Sequence, residues 1–334
     1  MEIVKAEILW TRVCPNKCPY CAMATGKKNS VSLLDWYTGI DNLKNLGCGF
    51  IAFYGAEPLA DYTLLPDVVR YAEDQGIKTT VITSGMVSKI DYKISNLYNF
   101  GLRSLSMSYD ITPISDDSWK KSQLALPLLY DFKHYYRNVR DAAAIVTLTS
   151  LNYTLLPDTI VQLTREGIWT FFDFIHWDRG NPGTKCRNYP GLDRLKFTEE
   201  DIPNLLQVLE KVQELKEKGY LAHTSKSFIQ MISLNPAILR YYGWNCACQD
   251  SFPSWVTIDC DGTVFPCDDF QPRSEVPLIP VTELYERWDE FKTKWKNIVR
   301  NGCSGCLWNT HIDAHFIKQG IIPFSDYVHT GKEK

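Results

Sequence analysis

With 334 residues, 45% of them hydrophobic and 22% charged, the sequence has the make-up of a folded protein with a large core, which excludes a disordered, collagen-like or low-complexity chain. A formal net charge of −3 offers no basic face for a phosphate backbone, so nucleic acid is not an expected partner. No apolar run reaches the length of a signal-peptide core or a membrane span, so the expected location is the cytoplasm, away from any membrane.

From residue 6 onward, short apolar runs alternate with amphipathic stretches, the pattern switching between strand and helix periods. Strands are expected at 6–10, 50–54, 79–83, 104–108, 143–149 and 169–175, and helices at 33–46, 64–74, 89–99, 119–136 and 158–166. Gly47, Gly76, Gly101 and Gly167 follow four of these helices, where a positive φ ends a helix at little cost. Repeated βα units build a parallel sheet with right-handed crossovers, so the expected fold is α/β, a partial (β/α)6 TIM-like barrel over 1–197. The chemistry of such a barrel belongs to the loops that follow its strands. Residues 178–196, rich in Gly, Pro, Arg and Asn, read as a long loop after the sixth strand. A helical connector is expected over 198–245: Thr198 with Asp201 suggests a capping box for a helix running to about 218, and a second helix is expected near 228–241. The remaining stretch, 246–334, is cysteine-rich, and Asp261-Gly262 between 255–258 and 263–265 marks a hairpin.

Eleven cysteines have no standing role as disulfides in a reducing cytosol, and their grouping points to metal. Cys14, Cys18 and Cys21 follow the first expected strand directly, in a tight loop broken by Pro15 and Pro19 that can wrap three thiolates around one centre. Zinc, which short cysteine pairs bind widely, is the alternative occupant here to an iron–sulfur cube, because the spacing and the preceding strand argue against it. A second group comprises Cys246, Cys248, Cys260, Cys267, Cys303 and Cys306, while Cys48 and Cys186 stand apart.

The segment Cys14-Pro15-Asn16-Lys17-Cys18-Pro19-Tyr20-Cys21 resembles the motif of the radical S-adenosylmethionine (SAM) superfamily. The resemblance implies that Cys14, Cys18 and Cys21 hold three irons of a [4Fe–4S] cluster whose fourth iron binds SAM, with Tyr20 near the adenine. Gly55-Ala56-Glu57-Pro58 looks like the family's Gly-Gly-Glu-Pro, which meets the methionine amino group of SAM. Ala56 stands where the family has a second Gly, and the backbone is expected to approach SAM less freely there. Thr83-Ser84-Gly85 occupies the place of the family's Thr-Asn-Gly, and Ser106-Met107-Ser108-Tyr109-Asp110 resembles its Ser-x-Asp, so Ser84, Ser108 and Asp110 become candidate SAM contacts. Thr149 and Asn152, after the fifth strand, are further candidates.

The C-terminal cysteines resemble the SPASM and twitch extensions of the same family. Because 307–334 contains no further cysteine, the resemblance implies one auxiliary iron–sulfur cluster on Cys267, Cys303, Cys306 and either Cys248 or Cys246; structural zinc is the alternative. His311 is expected at the surface, in reserve should a thiol be missing. Cys48, Cys186 and Cys260 are expected to be buried free thiols, with Cys186 and Cys260 the candidates for a hydrogen donor; no other catalytic residue is indicated. The implied activity is hydrogen-atom abstraction by a 5′-deoxyadenosyl radical, fed by a reductant such as flavodoxin or ferredoxin. A peptide or protein substrate is expected, with a small-molecule dehydrogenase or epimerase as the alternative and a non-catalytic zinc-binding protein as the reading from another class.

Overall fold

The computed structural model describes residues 2–18, 21, 23–112, 115–175, 193–236, 254–265, 279–302 and 308–324, with the backbone alone described at 116–119, 193 and 297–302. Six βα-type strands appear where the periodicity puts them: β1 (Lys5–Thr11), β2 (Phe50–Gly55), β3 (Lys78–Thr83), β4 (Ser104–Ser108), β5 (Asp141–Leu148) and β6 (Trp169–Phe174). Between them run α1 (Leu33–Asn45), α2 (Leu65–Asp74), α3 (Ile90–Asn99), α4 (Asp116–Tyr135) and α5 (Leu156–Arg165). Helix α5 starts two residues ahead of the expected position, because Pro157 suits the first turn of a helix, where no N–H is needed.

All six strands pair in parallel with their sequence neighbours, and the expected partial barrel is present as an open sheet. Past β6 come α6 (Asp201–Glu217) and α7 (Lys226–Leu234). Helix α6 begins at Asp201 rather than Thr198, since the Asp201 carboxylate accepts the N–H and hydroxyl of Thr198 at 2.7 and 2.8 Å, the backward half of a capping box. The expected hairpin is formed by β7 (Trp255–Ile258) and β8 (Thr263–Phe265), followed by β9 (Ile279–Pro280), α8 (Trp288–Gly302) and α9 (Asn309–Lys318). Strand β7 pairs in parallel with the free side of β1, so the sheet has nine strands in the order β6-β5-β4-β3-β2-β1-β7-β8-β9.

Alternate residues of the strands face the helices. Ile8, Trp10, Ile51 and Phe53 pack with Trp36, Ile40 and Leu43 of α1 in the largest apolar cluster, and Trp10 stacks on Trp36 with centroids 5.4 Å apart. The opposite, inner face is more polar. Helix α9 lies across the open seam: Ile312 and Phe316 join Phe172, Phe174 and Phe228, while Ala314 and Ile317 pack with Val4 and Trp255. His311, expected at the surface, is buried here, stacked on Trp255 at 4.1 Å with Nε2 3.2 Å from Glu7 Oε2, because α9 fills the seam instead of lying on the outside. No helix among the described residues is long and apolar enough to cross a membrane.

Candidate functional site: a cysteine loop over a buried glutamate

The cysteine loop leaves the C-terminal end of β1 through an irregularity: register against β2 shifts between Leu9 and Thr11. Main-chain bonds then close the loop on itself, the Arg12 N–H donating to Lys27 O at 2.8 Å while Thr25 and Gly26 N–H groups donate to Arg12 O at 3.0 and 2.9 Å. Cys14, Cys18 and Cys21 are half-buried on this loop, and a turn from Cys21 N–H to Cys18 O (3.0 Å) holds the last two together. Burial pushes the Cys14 thiol up to about 11, and the charges of Glu57, Cys21 and Cys18 add to the effect against the N–H of Asn16. A thiol raised in this way ionises when a cation is present to offset its charge.

The loop after β2 is docked directly beneath. Gly55 has φ +133, and a Cβ there would stand 2.5 Å from Thr11 O, so only glycine permits the two loops to meet. The Ala56 N–H then donates to Thr11 O and the Glu57 N–H to Val13 O, both at 3.0 Å. Ala56 does not have a positive φ, so its methyl group costs no backbone strain. Pro58 opens a short 3-10 turn, Pro58–Ala60, with Glu57 as its cap.

Glu57 is fully buried and accepts four hydrogen bonds. Oε1 takes the Leu59 N–H (3.1 Å) and the Thr83 hydroxyl (2.6 Å), and Oε2 takes the Ser84 N–H (2.8 Å) and hydroxyl (2.5 Å). Asn16 of the cysteine loop donates from Nδ2 to Ser84 Oγ at 2.9 Å. Three successive strand ends are thus locked through one carboxylate, and Glu57, a candidate SAM ligand, acts within the protein as the staple that joins them.

The other candidates sit at the next strand ends with local partners. Ser108 is half-buried at the end of β4. Asp110 is buried in an ion pair with Lys121 of α4 at 2.9 Å, and its N–H donates to Ser122 Oγ at 2.8 Å. Thr149 and Asn152 build their own turn, the Thr149 N–H donating to Asn152 Oδ1 (2.8 Å) and Asn152 Nδ2 to Thr147 O (3.0 Å). Tyr20, Cys186, Cys246, Cys248, Cys267, Cys303 and Cys306 lie outside the described residues. Cys48 and Cys260 are buried, each thiol pushed up to about 12 by burial above all, and Cys260 Sγ lies 3.9 Å from Lys27 O.

Three features escaped the sequence reading. Asn16 passed for a spacer between two cysteines. Lys121 is an unremarked residue of a helix. Arg12 forms a buried bidentate pair with Asp259 of the β7–β8 turn, with contacts of 2.9, 3.2 and 3.1 Å across 247 residues, a separation at which no local pattern signals pairing.

Residues 8–164 match the model of the Radical SAM superfamily. That stretch is a radical SAM domain. Part of the chain is similar to an S-adenosylmethionine-dependent nucleotide dehydratase from Selenomonas ruminantium, 37% identical over 82 residues, which is 24% of this chain and 30% of that protein. Among solved structures, SuiB of Streptococcus suis bound to S-adenosylmethionine superposes with a TM-score of 0.64 at 15% identity, covering 89% of this chain and 68% of SuiB. SuiB bound to its precursor peptide SuiA gives 0.61 at 16% identity, covering 88% and 66%. The enzyme anSMEcpe, with bound AdoMet and the Cp18Cys peptide, gives 0.57 at 17%, covering 96% of this chain and 99% of its own. At these identities the likeness concerns the fold.

The superfamily uses a [4Fe–4S] cluster and SAM. The donor set of this domain fits: three thiols on one closed loop at the C-terminal end of β1. Among the described residues no three of His, Cys, Asp and Glu form a single-ion site.

Proposed function

We propose that the chain is a radical SAM enzyme that takes a hydrogen atom from a peptide or protein, assisted by a second iron–sulfur cluster near its C-terminus. The observation that carries this reading is the cysteine loop of β1 bonded to the Glu57–Ser84 network, so that thiols and polar groups converge at the strand ends where a barrel does its chemistry. Bound together, a reduced cluster and SAM supply a 5′-deoxyadenosyl radical able to break a substrate C–H bond. The chain's own part is to hold and orient: Cys14, Cys18 and Cys21 as thiolate ligands, the backbone of 55–58 and Ser84 as polar contacts, and Ser108, Asp110 and Thr149 along the neighbouring strand ends.

The substrate class rests on one support. SuiB and anSMEcpe, which share the fold, have been seen with peptides. For the second cluster, Cys267 follows β8 by two residues, Cys303 follows α8 directly, and Cys306 precedes α9 by three, so the ligand-bearing segments are tethered to elements of the sheet and its seam. Cys248 or Cys246 supplies the fourth thiolate.

Anaerobic reconstitution tests the reading. The protein is expected to bind iron and sulfide, to turn brown, and to yield 5′-deoxyadenosine from SAM with dithionite. Cys18→Ala abolishes that cleavage. Colourless protein with stoichiometric zinc, or 5′-deoxyadenosine from the Cys18→Ala variant, refutes it.

A further inference from the structure

Asn16 sits inside the cysteine loop, between Cys14 and Cys18, and is 9% exposed. Its backbone N–H lies 3.4 Å from Cys14 Sγ and its Nδ2 donates to Ser84 Oγ at 2.9 Å. Its Oδ1 is buried without a hydrogen-bond partner. The network decides which way the amide faces. The Ser84 hydroxyl has one hydrogen, and it goes to Glu57 Oε2 at 2.5 Å, because an ionised carboxylate can only accept. Ser84 Oγ must therefore accept from Asn16, as it does from the Met86 N–H at 3.3 Å, so Nδ2 faces the serine and Oδ1 faces away from it. A buried carbonyl-type oxygen with no donor is rare in a folded protein and marks a place where a donor arrives from outside the chain.

We propose that Asn16 is a SAM-binding residue whose Oδ1 accepts a hydrogen bond from the amino group of the methionine moiety, an assignment that rests on the radical SAM reading above. Oδ1 can only accept, which rules out the carboxylate, the sulfonium and the adenine ring nitrogens as its partner. The remaining donors of SAM are the amino group, the ribose hydroxyls and the adenine amine. Of these the amino group is the one that, with the adjacent carboxylate, can close a five-membered chelate on a metal, so it belongs beside the cysteines, where Asn16 stands. The buried charge of Glu57, one hydrogen bond behind Ser84, makes this end of the site negative, which suits an amine.

The test is binding to the reconstituted protein by calorimetry, with three probes. S-adenosylhomocysteine carries both amine and carboxylate, its decarboxylated analogue carries the amine alone, and 5′-methylthioadenosine carries neither. Asn16→Ala is expected to weaken the first two about tenfold, the value of one hydrogen bond, and to leave the third unchanged. Equal weakening of all three, or of none, overturns the assignment, as does a loss confined to S-adenosylhomocysteine, which would point to the carboxylate. If Asn16→Ala does not hold its iron, Asn16→Asp decides, since it has the same size and still accepts: it is expected to bind the two amines at least as tightly relative to 5′-methylthioadenosine as the wild type does, and a fall in that ratio overturns the assignment. Wild-type protein that holds a cluster yet binds none of the probes contradicts the radical SAM reading itself, a result distinct from failure at Asn16.

Discussion

The Arg12–Asp259 pair joins the root of the cysteine loop to the β7–β8 turn, and its removal has a calculable consequence. Both side chains are almost wholly buried, at 6% and 9% exposure, and share contacts of 2.9, 3.2 and 3.1 Å, while Asp259 Oδ1 also accepts the Cys260 N–H at 2.8 Å. Asp259→Ala leaves a guanidinium that cannot shed its proton inside the protein, with no counter-charge, at a cost of about 3–5 kcal/mol. That is a large part of the roughly 5–15 kcal/mol that holds a domain folded. Replacing both partners, Arg12→Met with Asp259→Leu, removes the buried charges together and should recover most of the loss. Urea unfolding of the apoprotein with linear extrapolation measures both variants. A single variant costing under about 1 kcal/mol, or a double variant no better than the single one, refutes the view that the pair is a buried charge clamp.

Two further outcomes follow from buried carboxyl groups. Asp313 on α9 is pushed up from 3.8 to about 7, mainly by burial, although the Ser225 hydroxyl donates to it and Lys216 lies nearby. The unfolded chain releases this proton near pH 4 and the folded chain near pH 7, so the group's contribution is fully present below the lower value and is lost as pH rises through the upper one. Asp313→Asn has no proton to lose, and its stability relative to wild type should improve by about 4 kcal/mol between pH 3 and pH 8 in urea titrations, whereas a constant difference would show that the carboxyl ionises freely. Glu57→Gln should be nearly as harmful as Glu57→Ala, at about 2–3 kcal/mol by thermal unfolding, because the new NH2 must face either the Leu59 or the Ser84 main-chain N–H, neither of which can rotate away. A glutamine variant as stable as wild type would mean that Glu57 is protonated in the folded protein.

The barrel was legible because its strands are marked by composition and its helix ends by glycine. Strand β4 matches the expected 104–108 without change, and β5 differs only by a slide toward the N-terminus, where Asp141 and Ala142 can pair although neither favours a strand intrinsically. The ends of α6 and α5 moved for reasons that act through side-chain geometry, the Asp201 carboxylate and Pro157, and not through periodicity. The site divides in the same way. Cys14, Cys18 and Cys21 come into view through their spacing, and Gly55 and Glu57 through their resemblance to a motif of the superfamily. The role of Glu57 as an internal staple, and the donation from Asn16 that fixes Ser84, depend on bonds between residues 27 and 68 positions apart, for which a single sequence holds no signal.

The same argument explains why the C-terminal part is built into the barrel. A six-stranded parallel sheet that does not close leaves both an edge and a polar inner face to satisfy, since backbone groups and charges away from water need partners. Strand β7 takes the β1 side through register from Lys5↔Trp255 to Ile8↔Ile258. Helix α9 takes the other side, with Asn309 Nδ2 donating to the carbonyl of Phe172, the Asn309 N–H to Asp173 (2.9 Å), and His311 meeting Glu7, which also pairs with Lys5. Both elements border the C-terminal cysteine segments. Strand β7 and the Arg12–Asp259 clamp therefore tie the C-terminal hairpin to the strand and the loop that lead to Cys14.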